Sequence, residues 1–135
     1  MNARDGRSVL LVVDADLGFG RRLRRLLDGE RLRVAVAPSA SHALWLLDNT
    51  PADVLVVDDG RASALDCVAL LDAARRSFPR ATRVLAVSEP VPPVVVEAVN
   101  TGAVDRIVEK RLDDDALVRF VEGLREARSG KRMAR

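Results

Sequence analysis

Five short apolar runs set among amphipathic stripes decide what this sequence can become. The runs occupy residues 9–13, 32–37, 54–57, 84–87 and 107–108. Most are rich in valine, as strands buried on both faces of a parallel sheet are. Between them apolar residues recur at helical spacing. Phe19, Leu23, Leu26 and Leu27 form one stripe, and Ala40, Ala43, Leu44 and Leu47 a second. Val68, Leu71 and Ala74 form a third, Val95, Ala98 and Val99 a fourth, and Leu117, Phe120, Val121 and Leu124 a fifth. Strands alternating with helices in this way predict an α/β fold, a mostly parallel five-stranded sheet with helices on both faces and right-handed crossovers.

The punctuation agrees with that division. Asp16 and Ser39 stand where the N-caps of helices one and two belong. Gly102 follows the fourth stripe, as a C-terminal glycine does. Pro92 and Pro93 suit the lead-in or first turn of helix four. Asp113 to Asp115 place negative charge at the start of helix five, where the helix dipole favours it. Residues 1–7 read as an N-terminal extension, 8–127 as one folded domain, and 128–135 as a basic flexible tail.

Composition removes several function classes. The length of 135 residues fits one domain. A lone cysteine, Cys67, rules out an internal disulfide or a cysteine metal cluster and suits a reducing compartment. No run approaches the roughly 18 apolar residues of a membrane span, and the N-terminus lacks the apolar segment of a signal peptide. A soluble, cytoplasmic chain with no membrane partner is expected. A net charge of +2 and 3% aromatic residues give little reason to expect direct nucleic-acid binding. Gly18 and Gly20 are two glycines of a dinucleotide fingerprint, but Leu23 stands where the third belongs. His42 reads as a surface residue and Cys67 as a small buried one.

In folds of this class the functional site lies outside the carboxyl ends of the strands. Strand one ends at Asp14 and Asp16, strand three at Asp58 and Asp59, strand four at Ser88, and strand five at Glu109 and Lys110. Asp59 reads as a solvated neighbour of Asp58. Carboxylates around a small gap suit Mg²⁺, a hard cation that takes oxygen ligands. A hydroxyl and an ammonium beside them suit a phosphoryl group.

These residues also carry a family resemblance. LLVVDAD at 10–16, DVLVVD at 53–58, VLAVS at 84–88 and GAVDRIVEK at 102–110 resemble, in order, four segments of the receiver domain of two-component response regulators. The likeness spans about residues 8–126. It implies a flavodoxin-like doubly wound (βα)5 sandwich with strand order 2-1-3-4-5. It implies that Asp58 accepts a phosphoryl group from a partner histidine kinase or phosphotransfer protein, assisted by Ser88 and Lys110. Mg²⁺ would be held by Asp14, Asp58 and the backbone carbonyl of Gly60, with Asp16 able to swing in. The domain would not be an enzyme in its own right. Phosphorylation would switch a protein-interaction face read by a downstream output domain or protein, and the face of strand four, helix four, strand five and helix five would be a candidate homodimer surface.

The sequence departs from the family at several points. Ala15 stands where the second member of an acidic pair is usual, which should weaken Mg²⁺ binding. The loop after Asp58 lacks the family's proline and runs one residue long before Asp66. Arg111 rather than proline follows Lys110, and Ile107 occupies a common aromatic position. These departures support an alternative, a degenerate pseudo-receiver acting as a phosphorylation-independent interaction module. Arg21, Arg22, Arg24 and Arg25 crowd helix one as a solvated face or a docking surface for an acidic partner.

Overall fold

The computed structural model describes residues 6–59, 64–91 and 93–133, with the backbone alone for 64–66 and 129–133. Gly60, Pro92, the loop 60–63 and the ends 1–5 and 134–135 lie outside the described residues, and so do the expectations for the Gly60 carbonyl and the side chain of Asp66.

Five strands and five helices alternate along the chain. They are β1 (Ser8–Val13), α1 (Gly18–Leu27), β2 (Leu32–Ala37), α2 (Ala40–Asn49), β3 (Val54–Asp58), α3 (Ala64–Ser77), β4 (Thr82–Val87), α4 (Pro93–Asn100), β5 (Arg106–Glu109) and α5 (Asp114–Met133). The sheet is parallel throughout, in the order β2-β1-β3-β4-β5. This is the flavodoxin-like, doubly wound architecture expected from the sequence.

The alternation of side chains along each strand divides the core in two. Leu11, Val13, Leu55, Val57, Leu85 and Val87 face one layer with Leu47, Leu71 and Val95, from α2, α3 and α4. Leu10, Val12, Val54, Val56, Val84 and Val108 face the other with Leu23, Leu117, Val121 and Leu124, from α1 and α5. Val99, read as part of the fourth stripe, is exposed.

Three of the expected helix ends hold. The Ser39 side chain accepts the His42 N–H and caps α2. Asp113 accepts the Ala116 N–H ahead of α5, and Asp114 and Asp115 fill that helix's first turn. Gly102, at φ 87°, closes α4, with the Gly102 N–H bonded to the Val99 carbonyl and the Ala103 N–H to that of Ala98. That double bond is a Schellman ending, and it needs a left-handed residue at its centre.

Two expectations are corrected. Asp16 is not the cap of α1. The helix begins at Gly18 after Leu17, a residue at φ 65° with no capping side-chain bond. The acceptor comes from further back, because Asp14 takes the Gly20 N–H at 3.0 Å. A carboxylate already at the end of β1 reaches that N–H, and Asp16 is left exposed. The chain also does not become irregular at residue 128, since α5 continues to Met133. The Arg128 guanidinium bonds the Arg80 carbonyl and the Thr82 hydroxyl and lies 3.4 Å from Asp53, holding the helix against the starts of β3 and β4.

Candidate functional site

The carboxyl ends of β1, β3, β4 and β5 meet along one edge of the sheet. The register pairs Val13 with Val57, so the next residues, Asp14 and Asp58, emerge side by side. Lys110 follows the last residue of β5, and its N–H bonds the Val87 carbonyl at the end of β4 at 2.9 Å. Its side chain crosses β4 to reach β3. Nζ donates to Asp58 Oδ1 at 2.8 Å and to Oδ2 at 3.0 Å, and lies 3.6 Å from Asp59 Oδ1.

Burial sets the electrostatics. Asp14, Asp58 and Asp59 are all buried, Asp59 completely. Buried carboxylates require compensation, and Lys110 provides positive charge to two of them. Burial pushes the Lys110 ammonium down in pKa, but the hydrogen bonds and negative charges of Asp58 and Asp59 outweigh that effect and hold it above its ordinary value of 10.5. Lys110 is therefore a cation at any physiological pH.

The burial of Asp59 corrects the expectation of a solvated neighbour. Asp59 Oδ2 accepts the Ser88 N–H at 3.1 Å, and the Asp59 N–H bonds the Ala86 carbonyl at 2.8 Å. Asp59 thus joins the ends of β3 and β4. A signal for this was present in the sequence: consecutive residues leaving a strand point to opposite faces, and both faces of this sheet are covered. Ser88 is half-buried beside the ion pair. Cys67 is buried as expected, and its thiol donates to the Asp58 carbonyl at 2.7 Å, fixing the backbone beneath the Asp58 side chain.

Asp14 is engaged locally. Its Oδ1 accepts the Asp16 N–H at 3.1 Å and its Oδ2 the Gly20 N–H. Ala15 and Asp16 are both exposed. Among the described residues no three His, Cys, Asp or Glu side chains gather as a metal cage. Each Asp14 oxygen, however, accepts one N–H and keeps a second lone pair that can face a cation, and the Asp58 carboxylate emerges beside it on the same edge. Mg²⁺ is commonly held by one or two carboxylates with water and phosphate oxygens completing the shell. The residues present fit such a site, and Ala15 adds nothing to it.

Of the remaining expectations, His42 is exposed, edge-on to the exposed Trp45. Arg21, Arg24 and Arg25 are exposed. Arg22 is not simply part of that solvated face, because its guanidinium reaches the turn after β5. The sequence signalled only a run of arginines. Among the described residues no helix is long and apolar enough to cross a membrane.

No family model matches the chain, and no curated protein matches it. Solved structures do. The chain is similar to the signal receiver domain of an HD domain-containing protein from Pseudomonas fluorescens, at 26% identity and TM-score 0.82, with 95% of this chain and 93% of that one covered. It is similar to NtrX from Brucella abortus at 24% identity and TM-score 0.82, covering 95% of this chain but 29% of that longer one. A CheY-like response regulator receiver domain protein from Methanospirillum hungatei shares the fold at 18% identity and TM-score 0.78, with 93% and 98% covered.

Proposed function

From the premise that this chain has the receiver fold of response regulators, we propose that it is a two-component receiver that accepts a phosphoryl group on Asp58. The observation that carries the reading is the bidentate contact of Lys110 with Asp58 at the strand ends. It supports an ionised carboxylate whose negative charge is balanced by a group able to follow that charge onto a phosphoryl oxygen.

The chemistry is a displacement at phosphorus. An Asp58 carboxylate oxygen attacks the phosphorus of a phosphohistidine on a partner histidine kinase or phosphotransfer protein. The new O–P bond forms as the N–P bond breaks, and the imidazole nitrogen keeps the electron pair. Catalysis of such a transfer is mainly positioning and charge stabilisation. Lys110 neutralises a phosphoryl oxygen, and Ser88, beside it, donates its hydroxyl to another. Asp14 and Asp58 would hold Mg²⁺, which when bound offsets the charge developing on the phosphoryl oxygens. The protein is a stoichiometric acceptor and not a turnover enzyme.

The output follows from the bond from the Ser88 N–H to Asp59. A phosphoryl group that draws on Lys110 and Ser88 shifts the ends of β4 and β5, and with them the neighbouring surface. Val91, Val96, Val99 and Ile107 are exposed on that side and suit it to a downstream domain, a partner protein or a second copy. Arg21, Arg24 and Arg25 suit α1 to an acidic docking surface on the phosphodonor protein. Lys110 held against both oxygens of Asp58 keeps acceptor and countercharge together at one strand edge, which supports phosphoryl acceptance over the phosphorylation-independent module that Ala15 favoured.

Intact-mass measurement after incubation with a small-molecule phosphodonor tests the reading. One phosphoryl adduct is expected, faster with Mg²⁺ and absent from Asp58→Asn. An unmodified wild-type chain at all donor and Mg²⁺ concentrations contradicts it.

A further inference from the structure

Lys110 is fixed at its N–H by Val87 and at Nζ by Asp58. Its carbonyl has a third partner, on a different helix. Arg22 of α1 donates from Nη1 to the Lys110 carbonyl at 3.0 Å, from Nη2 to the Leu112 carbonyl at 2.6 Å, and from Nε to Asp114 Oδ1 at 2.9 Å. One planar guanidinium therefore bridges the whole turn between β5 and α5. We propose that Arg22 is a positioning residue for phosphoryl acceptance, a clamp that sets the backbone from which Lys110 reaches Asp58. The proposal rests on the reading of Lys110 and Asp58 given above.

The geometry separates Arg22 from its neighbours. Arg21, Arg24 and Arg25 are exposed, whereas the Arg22 side chain is 26% exposed and turned onto the turn. Arginine suits the task because its fork of donors is rigid, so two carbonyls and a carboxylate are held in one plane. Lysine, a single point donor on a flexible stem, cannot bridge all three. Within the turn the Leu112 N–H bonds the Glu109 carbonyl and the exposed Arg111 guanidinium lies 3.8 Å from the Glu109 carboxylate, and neither contact holds the Lys110 carbonyl. Without Arg22 the Lys110 and Leu112 carbonyls turn to water and the Lys110 stem gains freedom. Arg22 touches neither Asp58 nor a phosphoryl group, so its effect must pass through Lys110.

The chain contains two lysines, Lys110 and Lys131, which gives an internal reference. Native acylation with an amine reagent, read by peptide mass spectrometry, reports the Lys110-to-Lys131 labelling ratio. In Arg22→Lys, which keeps charge and helix propensity, and in Arg22→Ala, the ratio should rise several-fold over wild type. The initial rate of phosphoryl uptake should fall by about ten- to a hundredfold. In a Lys110→Ala background, Arg22→Lys should cause no further loss of rate. A labelling ratio unchanged in a folded Arg22→Lys chain overturns the proposal, and so does a rate loss of full size in the Lys110→Ala background. Failure of wild-type phosphorylation defeats the phosphoacceptor reading instead, and the labelling ratio then still decides whether Arg22 positions Lys110.

Discussion

Lys110 balances two buried carboxylates at once, and that has a consequence for pH. Its pKa is raised in the folded protein above 10.5, the value it regains on unfolding. The stabilising contribution is therefore complete below pH 10.5 and is lost as pH rises through the higher folded value. Urea titrations should show this part of the stability unchanged from neutral pH to about pH 10 and declining beyond it. Lys110→Met should lack that alkaline decline and should accept phosphoryl groups on the order of a hundredfold more slowly, as expected for loss of one preorganised charge. An alkaline limb identical in Lys110→Met would assign it to other groups. Asp59 adds to the same balance, and its fully buried carboxylate explains why one ammonium is shared.

The elements that position these residues are joined by close approaches. A Cβ added to Gly20 on α1 would lie 2.6 Å from Val36 Cγ1 on β2. Val36 is β-branched and stiff, so it yields little. Gly20→Ala should cost about 1–3 kcal/mol in chemical denaturation, the usual range for overpacking, and Val36→Ala should recover part of it. No loss in Gly20→Ala would mean that α1 can back away from the sheet. The strands and four of the five helical stripes were legible in the sequence, because burial on both faces leaves a valine-rich signature. The start of α1 was not. Asp14 caps it from the end of β1, a contact set by tertiary structure that local cap preference does not contain. Arg128 likewise extends α5 through bonds to residues some fifty positions away in sequence, Arg80 and Thr82.

At the scale of the whole molecule, two apolar layers hold a parallel sheet whose carboxyl edge gathers charged residues from three strands and Ser88 from a fourth. Asp58, Ser88 and Lys110 could be assigned to that edge from the sequence, because strand ends are readable as places where apolar runs stop. The burial of Asp59 was implicit in side-chain alternation between two covered faces, whereas the clamp of Arg22 was not legible, since it depends on which turn lies against α1. The central claim is that this edge forms an acyl phosphate at Asp58. Borohydride reduction after treatment with a phosphodonor, followed by peptide mapping, reads that bond directly. Conversion of residue 58 to homoserine in wild type, and in no other aspartate, is the predicted result. Reduction at Asp14 or Asp59 instead, or at no aspartate in a chain exposed to donor and Mg²⁺, would contradict the account.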